Sequence, residues 1–472
     1  MNKKLNMQGK FMLMEILLGA ILLGYFLTMY SMDNPVIFEA AYYRLDCLFK
    51  GNIMDFLFDW SPIVPYNVLS QMVFTIWVFP IKILNLLLNI SLESSIGAYL
   101  WYKLLIVLCS MLIMIECKKI AVTLGIDEIN RRWIVFFTAS SLFFVLPIFH
   151  LAQVDAIYIP FMLYGVRKYI EGDYKKFLVA FAIANPVKYL PIFIYIPLIL
   201  LKEKRIPYIL RDILLGLILV PIDIIVKNMT SILYWMGFIS DESVKIPYVL
   251  ANSQIRALLF NSFAGPDGIS AAVVVVAYGA ICILAYCCYY ESEQRGEMTI
   301  WLSFSSLALL FTFGTMHCQW IILLVPFMLL LVFENKTRIN YILETLMTMG
   351  FVGSYVITQS EIYGGRSTFD SLLFSLSDYL MQRRSSHANN DMIHFIMDTY
   401  EYPGEYERIM PAIAVVTMIS FIIINCPFVR TVVDKCKKRE IEMKETTIVY
   451  WGWFRIVILV MWFLVNFYCL FK

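Results

Sequence analysis

A short polar stretch separates two long apolar runs in "HLAQVDAIYIPF", residues 150–161. It places His150, Gln153 and Asp155 close together in the chain. Other polar residues that stand between apolar runs are Asp33, Lys188, His317 and Gln319. A charged side chain at the centre of a membrane-spanning helix costs about 2.5–3.5 kcal/mol on insertion scales, so it usually faces a cavity or a partner. The set therefore predicts a polar pocket that is approached from lipid.

The composition predicts an all-α polytopic membrane protein. The chain has 472 residues, of which 60% are hydrophobic and 16% are charged, whereas a soluble domain carries about 25% charged residues. Apolar runs of roughly 17–25 residues recur, and each is long enough to cross a bilayer core as a helix. No small-residue cleavage site follows the first apolar run, so this run is predicted to be an uncleaved first transmembrane helix and not a signal peptide. No basic face is present, so nucleic acid is not an expected partner.

The basic clusters predict the orientation, because short loops rich in Lys and Arg stay in the cytoplasm. These clusters occupy residues 2–4, 116–133, 167–176, 201–205, 291–297, 334–338 and 430–444. Placing them all on the cytoplasmic side predicts about thirteen transmembrane helices, with the N-terminus inside and the C-terminus outside. The predicted helices are 11–31, 98–115, 133–149, 156–170, 177–190, 191–201, 212–227, 270–290, 299–315, 320–333, 339–358, 409–428 and 447–469.

The apolar segment 65–88 does not fit this orientation as a further span, because it would move every later basic cluster outside. It is therefore predicted to lie in the outer membrane surface, within a long first external loop, 32–97. The other long external segments are about 228–269 and 359–408. No internal repeat and no long linker is evident, so residues 1–472 are expected to form a single membrane domain.

With this orientation the polar residues at the outer helix ends lie on one side of the membrane. Each also has a structural interpretation. Asp33 could serve only as a helix cap, and either histidine could have only a structural role. The side chain of Lys188 could simply extend to the membrane interface. Asp223 and Lys227, four residues apart on one predicted helix, are expected to form a structural ion pair.

The order of these motifs resembles that of the C-type (GT-C) glycosyltransferases. The chain has a first helix, an external loop that opens with Asp33, the turn "AQVD" (152–155), and "VKYLPIFIYIP" (187–197). The family turn often reads Gly-Gln-x-Asp, and Ala152 replaces its glycine. "HCQWIILLVP" (317–326) is similar to the outer "HPQY" turn of the mannosyltransferase-like branches, with Cys318 for proline. The resemblance covers residues 1–330 as a catalytic module, and 331–472 would be variable C-terminal helices.

The resemblance implies an enzyme that transfers a hexose from a polyprenyl-phosphate-linked donor at the extracytoplasmic face of the cell membrane, with inversion. Asp33 would be the general base. Lys188 and His317 would hold the lipid phosphate, and His150, Gln153, Asp155 and Gln319 would contribute to substrate binding. In some relatives an acid in the Asp155 turn helps to bind a divalent metal. The acceptor would be a lipid-linked glycan, a polysaccharide or a protein, and membrane lipids would surround the enzyme.

Two other functions remain open. A transporter or flippase for lipid-linked sugars would share the helices and the outer cavity, but such proteins often show repeats and unwound helices near the midplane. A polysaccharide polymerase would use the same kind of substrates and would rely more on arginines in outer loops. Arg256, Arg366, Arg383 and Arg384 keep that possibility open.

Overall fold

The chain is a helical membrane protein. The computed structural model describes residues 2–28, 33–53, 56, 67–90, 92, 95–150, 152–237, 262–264, 270–289, 294–313, 318–362, 403–429 and 445–470. These residues are mainly helical, with one short antiparallel strand pair, β1 (Ser262–Ala264) and β2 (Ser270–Ala272). The helices in chain order are α1 (Asn2–Thr28), α2 (Asp33–Phe49), α3 (Val68–Leu88), α4 (Ile96–Thr123), α5 (Glu128–Ser140), α6 (Leu142–Val145), α7 (Asp155–Ile170), α8 (Tyr174–Val187), α9 (Ile192–Lys202), α10 (Ile206–Gly216), α11 (Val220–Lys227), α12 (Met229–Trp235), α13 (Val273–Cys287), α14 (Arg295–Phe313), α15 (Leu324–Asn335), α16 (Arg338–Ile362), α17 (Pro403–Ile424) and α18 (Glu445–Leu470).

Five helices of the described chain are long and apolar enough to cross a membrane. They are Gly9–Thr28, Val68–Leu88, Gly97–Thr123, Arg295–Phe313 and Glu445–Leu464. A sixth span results if the bent pair Glu128–Ser140 and Leu142–Phe149 is counted as one. Several other predicted spans are shorter apolar helices, and a helix of 15 residues reaches only about 22 Å. The figure of thirteen spans therefore stays a prediction.

The predicted helix 133–149 is broken. α5 and the apolar segment after it meet at a bend of 60°, and Ser141 has an extended backbone, with φ −69° and ψ 129°. The hydroxyl groups of Ser140 and Ser141 are buried and have no hydrogen-bond partner among the described residues. Pairs of Gly or Ser are common sites of sharp helix kinks. A π-helical turn, Leu146–His150, follows α6.

The predicted helix 212–227 is also interrupted. It covers the end of α10 and all of α11, which are separated at residues 217–219. The amide of Asn185, on α8, donates a hydrogen bond to the carbonyl of Gly216 across 2.9 Å. This side chain therefore satisfies a carbonyl at the end of α10, which has no partner within its own helix.

Within segment 65–88, Val68–Leu88 form the continuous helix α3, and the prediction that it lies in the membrane surface remains untested. Its outward side chains are apolar, with Ile76 71% and Leu87 75% exposed. α3 contacts α4 through Trp77 and Trp101, which stack with ring centroids 4.7 Å apart. Each indole also donates to the backbone carbonyl of the other. The buried face of α3 is partly polar and contains Ser70, Gln71, Thr75, Lys82 and Asn85.

The chain divides into two compact units. Unit 1 contains residues 1–34, 117–153 and 318–472, and unit 2 contains residues 35–116 and 154–317. Unit 2 holds an aromatic core between α8 and α9, in which Phe181 stacks on Tyr195 at 5.0 Å.

Unit 1 contains a buried ion pair that joins α16 to α18. Arg455 donates to Oε1 of Glu344, and both side chains are almost completely buried. Thr348 also donates to Oε1 of Glu344 at 3.2 Å. On the same helix pair, the indole of Trp451 donates to the hydroxyl oxygen of Thr345 at 3.0 Å. α16 and α18 are therefore connected by polar contacts in an otherwise apolar environment.

The loop before α5 begins that helix with an acidic cap. Asp127 accepts a hydrogen bond from the backbone N–H of Asn130 at 3.0 Å, and Lys336 lies 3.0 Å from its carboxylate. Partial burial acts to raise the pKa of Asp127, but the hydrogen bonds from Asn130 and Lys336 outweigh it and lower this pKa to about 2. The carboxylate is thus the favoured form at the start of the helix.

We expect Arg455→Met to destabilise the protein by about 3–5 kcal/mol, because it leaves the buried carboxylate of Glu344 without its cationic partner. Thermal unfolding of the purified protein in detergent measures the loss. The double variant Glu344→Leu/Arg455→Met should recover most of the stability, since no buried charge remains. A double variant as unstable as the single one would contradict this role for the pair.

Candidate functional site

Two of the predicted site residues, Asp155 and Lys188, form a buried ion pair in unit 2. The Lys188 ammonium lies 2.7 Å from Oδ1 of Asp155. The same oxygen accepts a hydrogen bond from the hydroxyl of Tyr158 at 2.8 Å. Asp155 is completely buried, whereas the side chain of Lys188 is 18% exposed. The pair therefore has one member in the protein interior and one that reaches an accessible surface.

Asp155 occupies the first position of α7, where the unpaired backbone N–H groups and the helix dipole favour a negative charge. Tyr158 lies three residues further along, and residues at this spacing are neighbours on one face of a helix. Its hydroxyl was not predicted as part of the site, although the spacing is visible in the sequence. The start of α7 thus supplies both the acid and a donor that orients it.

The turn before α7 contains a residue in a left-handed conformation, Ala152. Ala152 has a φ of 43°, in the left-handed region that is costly for residues with a side chain. The N–H of Gln153 donates to the carbonyl of Pro147 across 2.8 Å, which closes the turn. Gln153 is buried, as is Ala152. Ala152 is therefore held in a conformation that glycine adopts without strain.

Lys188 lies where α8 ends and before α9 begins. Pro186 stands in the last turn of α8, and Pro191 immediately precedes α9. Lys188 has an extended backbone, with φ −157° and ψ 143°, because the helix cannot continue through this segment. Because the backbone is extended here, the lysine side chain lies against Asp155.

One oxygen of Asp155 is left open. Oδ2 is buried and has no hydrogen-bond partner among the described residues. An unsatisfied buried acceptor costs about 1–3 kcal/mol, so such an atom commonly marks a place for a ligand, an ordered water or another donor.

The possible metal role of Asp155 stays a prediction, because the contacts described for this residue are with a lysine and a tyrosine. Oδ1 already faces the positive charge of Lys188 at 2.7 Å. In the described part of the chain, no three His, Cys, Asp or Glu side chains are grouped so that they could hold a metal ion. The residues in place are suited to hydrogen bonding and charge stabilisation, and we derive no step that uses a metal.

The other predicted site residues are only partly described. Asp33 is the first residue of α2 and His150 the last of the π-helical turn, but their side chains lie outside the described residues. Gln319 lies in a 3₁₀ turn, Cys318–Leu323, and its side chain is likewise outside them, as is all of His317. Four arginines also lie entirely outside the described residues: Arg256, Arg366, Arg383 and Arg384.

Sequence reasoning also missed a second polar cluster next to Lys188. Tyr189 donates to Oδ2 of Asp223 across 2.6 Å. The expected ion pair between Asp223 and Lys227 is present, with the ammonium 3.6 Å from the carboxylate. Lys227 also donates to Oδ1 of Asn67 at 2.6 Å. Asp223 and Asn67 are 156 positions apart in the chain (223 − 67), so spacing alone gave no signal for their proximity.

We expect Ala152→Gly to leave the melting temperature unchanged or to raise it, because the relief of left-handed strain, about 1 kcal/mol, offsets the greater flexibility of the unfolded glycine chain. Ala152→Val should lower it clearly, since a β-branched residue is disfavoured at positive φ and the site is buried. Thermal unfolding in detergent compares the variants. Equal stability of the Gly and Val variants would contradict the backbone explanation.

The chain was compared with protein-family models, with curated proteins and with solved structures, and none of the three comparisons finds a match.

Proposed function

We propose that this chain is an integral membrane glycosyltransferase that transfers a hexose from a polyprenyl-phosphate-linked donor to an acceptor at the extracytoplasmic face. The observation that carries the proposal is the buried pair of Asp155 and Lys188, 2.7 Å apart. The motif order that resembles the C-type glycosyltransferases contains these same two residues. Their contact supports treating the Gln153-x-Asp155 turn and the Lys188 segment as parts of one functional unit.

The conformation of the turn gives independent support to the resemblance. Ala152 occupies the position where the family turn has glycine, and its φ of 43° is the conformation in which glycine is preferred. The geometry of the backbone is thus compatible with the family motif although the residue differs.

The character of α3 is compatible with its prediction as a membrane-surface helix, and its length and apolar composition also fit a span. A span in lipid is expected to keep polar side chains off its surface or to pair them. α3 combines a buried face that includes Gln71 and Lys82 with apolar outward residues such as Ile76. Lys82 forms an ion pair with Asp46 of α2. Such a helix fits a cover over a polar region, with its outer face against lipid.

The proposed chemistry is a direct displacement at the anomeric carbon. The acceptor hydroxyl oxygen forms the new bond to this carbon, and the bond to the phosphate oxygen breaks, so polyprenyl phosphate leaves with the electron pair. The hydroxyl proton passes to Asp33, whose role rests on the resemblance. Attack opposite the leaving group inverts the configuration.

Lys188 would stabilise the charge that develops on the leaving phosphate, since an ammonium held in a region of low dielectric interacts strongly with an anion. Asp155 would fix the direction of this ammonium through Oδ1 and accept a hydrogen bond from the acceptor through the open Oδ2. Gln153, His150, His317 and Gln319 would complete substrate binding. His317 would share the phosphate with Lys188.

Asp33→Asn should lower sugar transfer by about 10²–10⁴-fold, because it preserves side-chain volume but removes the proton acceptor. The assay incubates the purified protein with a polyprenyl-phosphate hexose and membrane lipid extract, and detects a heavier glycolipid by mass spectrometry. Donor binding should be nearly unchanged in this variant.

Asp46→Asn is the matched control, since Asp46 pairs with Lys82 and should not be the base. Full activity of Asp33→Asn together with loss of activity on replacing Asp46, Asp55 or Asp59 would contradict the base assignment. A ladder of products would favour a polymerase. Movement of the donor lipid across the bilayer without transfer would favour a transporter.

A topology map tests the orientation. In a variant without native cysteines, single cysteines in 32–97, 228–269 and 359–408 should react with a membrane-impermeant maleimide in intact cells, and those in 116–132 only after permeabilisation, because the basic clusters stay inside. Cysteines at the exposed positions 52 and 89, before and after α3, should both react from outside. Labelling of 116–132 in intact cells would overturn the orientation, and opposite sides for 52 and 89 would make α3 a span.

A further inference from the structure

A second buried carboxylate, Asp223, connects α3 to the segment that carries Lys188. Its Oδ1 accepts the backbone N–H of Val68, the first residue of α3, across 2.6 Å. Its Oδ2 accepts the hydroxyl of Tyr189 across 2.6 Å. Asp223 is buried and belongs to α11. One side chain therefore holds both the N-terminus of α3 and the residue immediately after Lys188.

Asp223 takes the capping role that Asn67 does not perform. Asn67 has the extended backbone of an N-cap, but its side chain makes no capping hydrogen bond to α3. It donates to the carbonyl of Pro186 at 2.9 Å and accepts from Lys227 at 2.6 Å. A carboxylate at a helix N-terminus is favourable because it meets unpaired N–H groups and the positive end of the helix dipole.

These contacts form a closed polar cluster that we call the α3 anchor, composed of Asn67, the N–H of Val68, Tyr189, Asp223 and Lys227, with the Pro186 carbonyl. It contacts the break between α8 and α9 through the Pro186 carbonyl and the Tyr189 hydroxyl. Consecutive side chains of an extended backbone point in opposite directions. Because Lys188 is extended, its side chain reaches Asp155 while the side chain of Tyr189 reaches Asp223.

The orientation of Lys188 is thus defined by two carboxylates on different helices. Asp155 of α7 binds its ammonium directly, and Asp223 of α11 binds the next residue. Backbone hydrogen bonds from Lys188 to Ala184 and from Ile192 to Tyr189 hold the main chain of this segment, and loss of the Tyr189 hydroxyl contact would remove the side-chain contact that fixes its rotation between the two helices. The ammonium would then lose its fixed direction.

We propose that Asp223, acting through Tyr189, is the positioning residue of Lys188, and that the docking of α3 on Asp223 determines whether this lysine is aligned for a lipid-borne phosphate. The part that concerns phosphate rests on the proposed function. The part that concerns alignment rests on the contacts alone. The α3 anchor therefore links the first external loop to the phosphate-binding residue.

The first measurement is the rate at which Lys188 reacts with an amine-specific methylating reagent in the purified full chain, followed by peptide mass spectrometry and normalised to the exposed Lys176. Tyr189→Phe and Asp223→Asn should raise this rate about tenfold, the effect of losing a hydrogen bond to a charged group. Tyr25→Phe is the matched control. It removes a buried hydroxyl that donates to the carbonyl of Leu459, in unit 1, and should leave the rate unchanged.

The second measurement is binding of polyprenyl monophosphate, without sugar, to the same variants and to Lys188→Met. Tyr189→Phe should weaken binding by about tenfold in the native background and should have no further effect in Lys188→Met, since it acts through the lysine. A purely structural tyrosine would weaken binding equally in both backgrounds, and that result would overturn the proposal.

An unchanged Lys188 methylation rate in folded Tyr189→Phe would overturn the alignment itself, whatever the substrate. If methylation rises while neither Tyr189→Phe nor Lys188→Met alters lipid binding, the alignment stands and the phosphate role of Lys188 in the proposed function fails. If Asp223→Asn does not fold, Tyr189→Phe decides the outcome, because it removes one hydroxyl group and no charge.

Discussion

The ion pair between Asp155 and Lys188 is the interaction on which the arrangement of the candidate site depends. A carboxylate that is completely buried is costly unless a positive charge and hydrogen bonds compensate for it. Lys188 and Tyr158 supply these to the same oxygen of Asp155. Because the chain leaves the helical path after Pro186, the Lys188 ammonium reaches that oxygen, so the break between α8 and α9 and the start of α7 meet in one ion pair.

Breaks in apolar helices expose backbone groups that lipid cannot satisfy, so each break needs polar side chains from elsewhere in the protein. Asn185 binds the carbonyl at the end of α10. Asp223 binds the first N–H of α3, and Asn67 binds the carbonyl of Pro186. Several buried polar residues of unit 2 therefore lie where helices begin or end. A site formed at helix ends therefore already contains polar side chains.

The sequence predicted most helices, because long apolar runs between basic clusters determine where a membrane helix can form. It missed the break at Ser141, where two serines, and no proline or glycine, mark the bend. It placed Asp155 and Lys188 at helix ends on one side of the membrane but did not predict their contact. The contact of Tyr158 with Asp155 could have been predicted from their spacing in the sequence. The contacts of Asp223 with Val68 and with Tyr189 could not, since they depend on how separate helices pack.

Asp155 and Asp223, two of the buried aspartates of unit 2, differ in a way that separates positioning from ligand binding. Asp223 has hydrogen bonds to both oxygens, whereas Asp155 leaves Oδ2 without a partner among the described residues. An open oxygen is not sufficient by itself, since Oε2 of Glu344 is also unpartnered within the described chain. Glu344 lies within α16, paired with an almost fully buried arginine. Asp155 starts a helix, and its lysine is 18% exposed, whereas the arginine of the other pair is 4% exposed, so only the Asp155 pair has a member at an accessible surface.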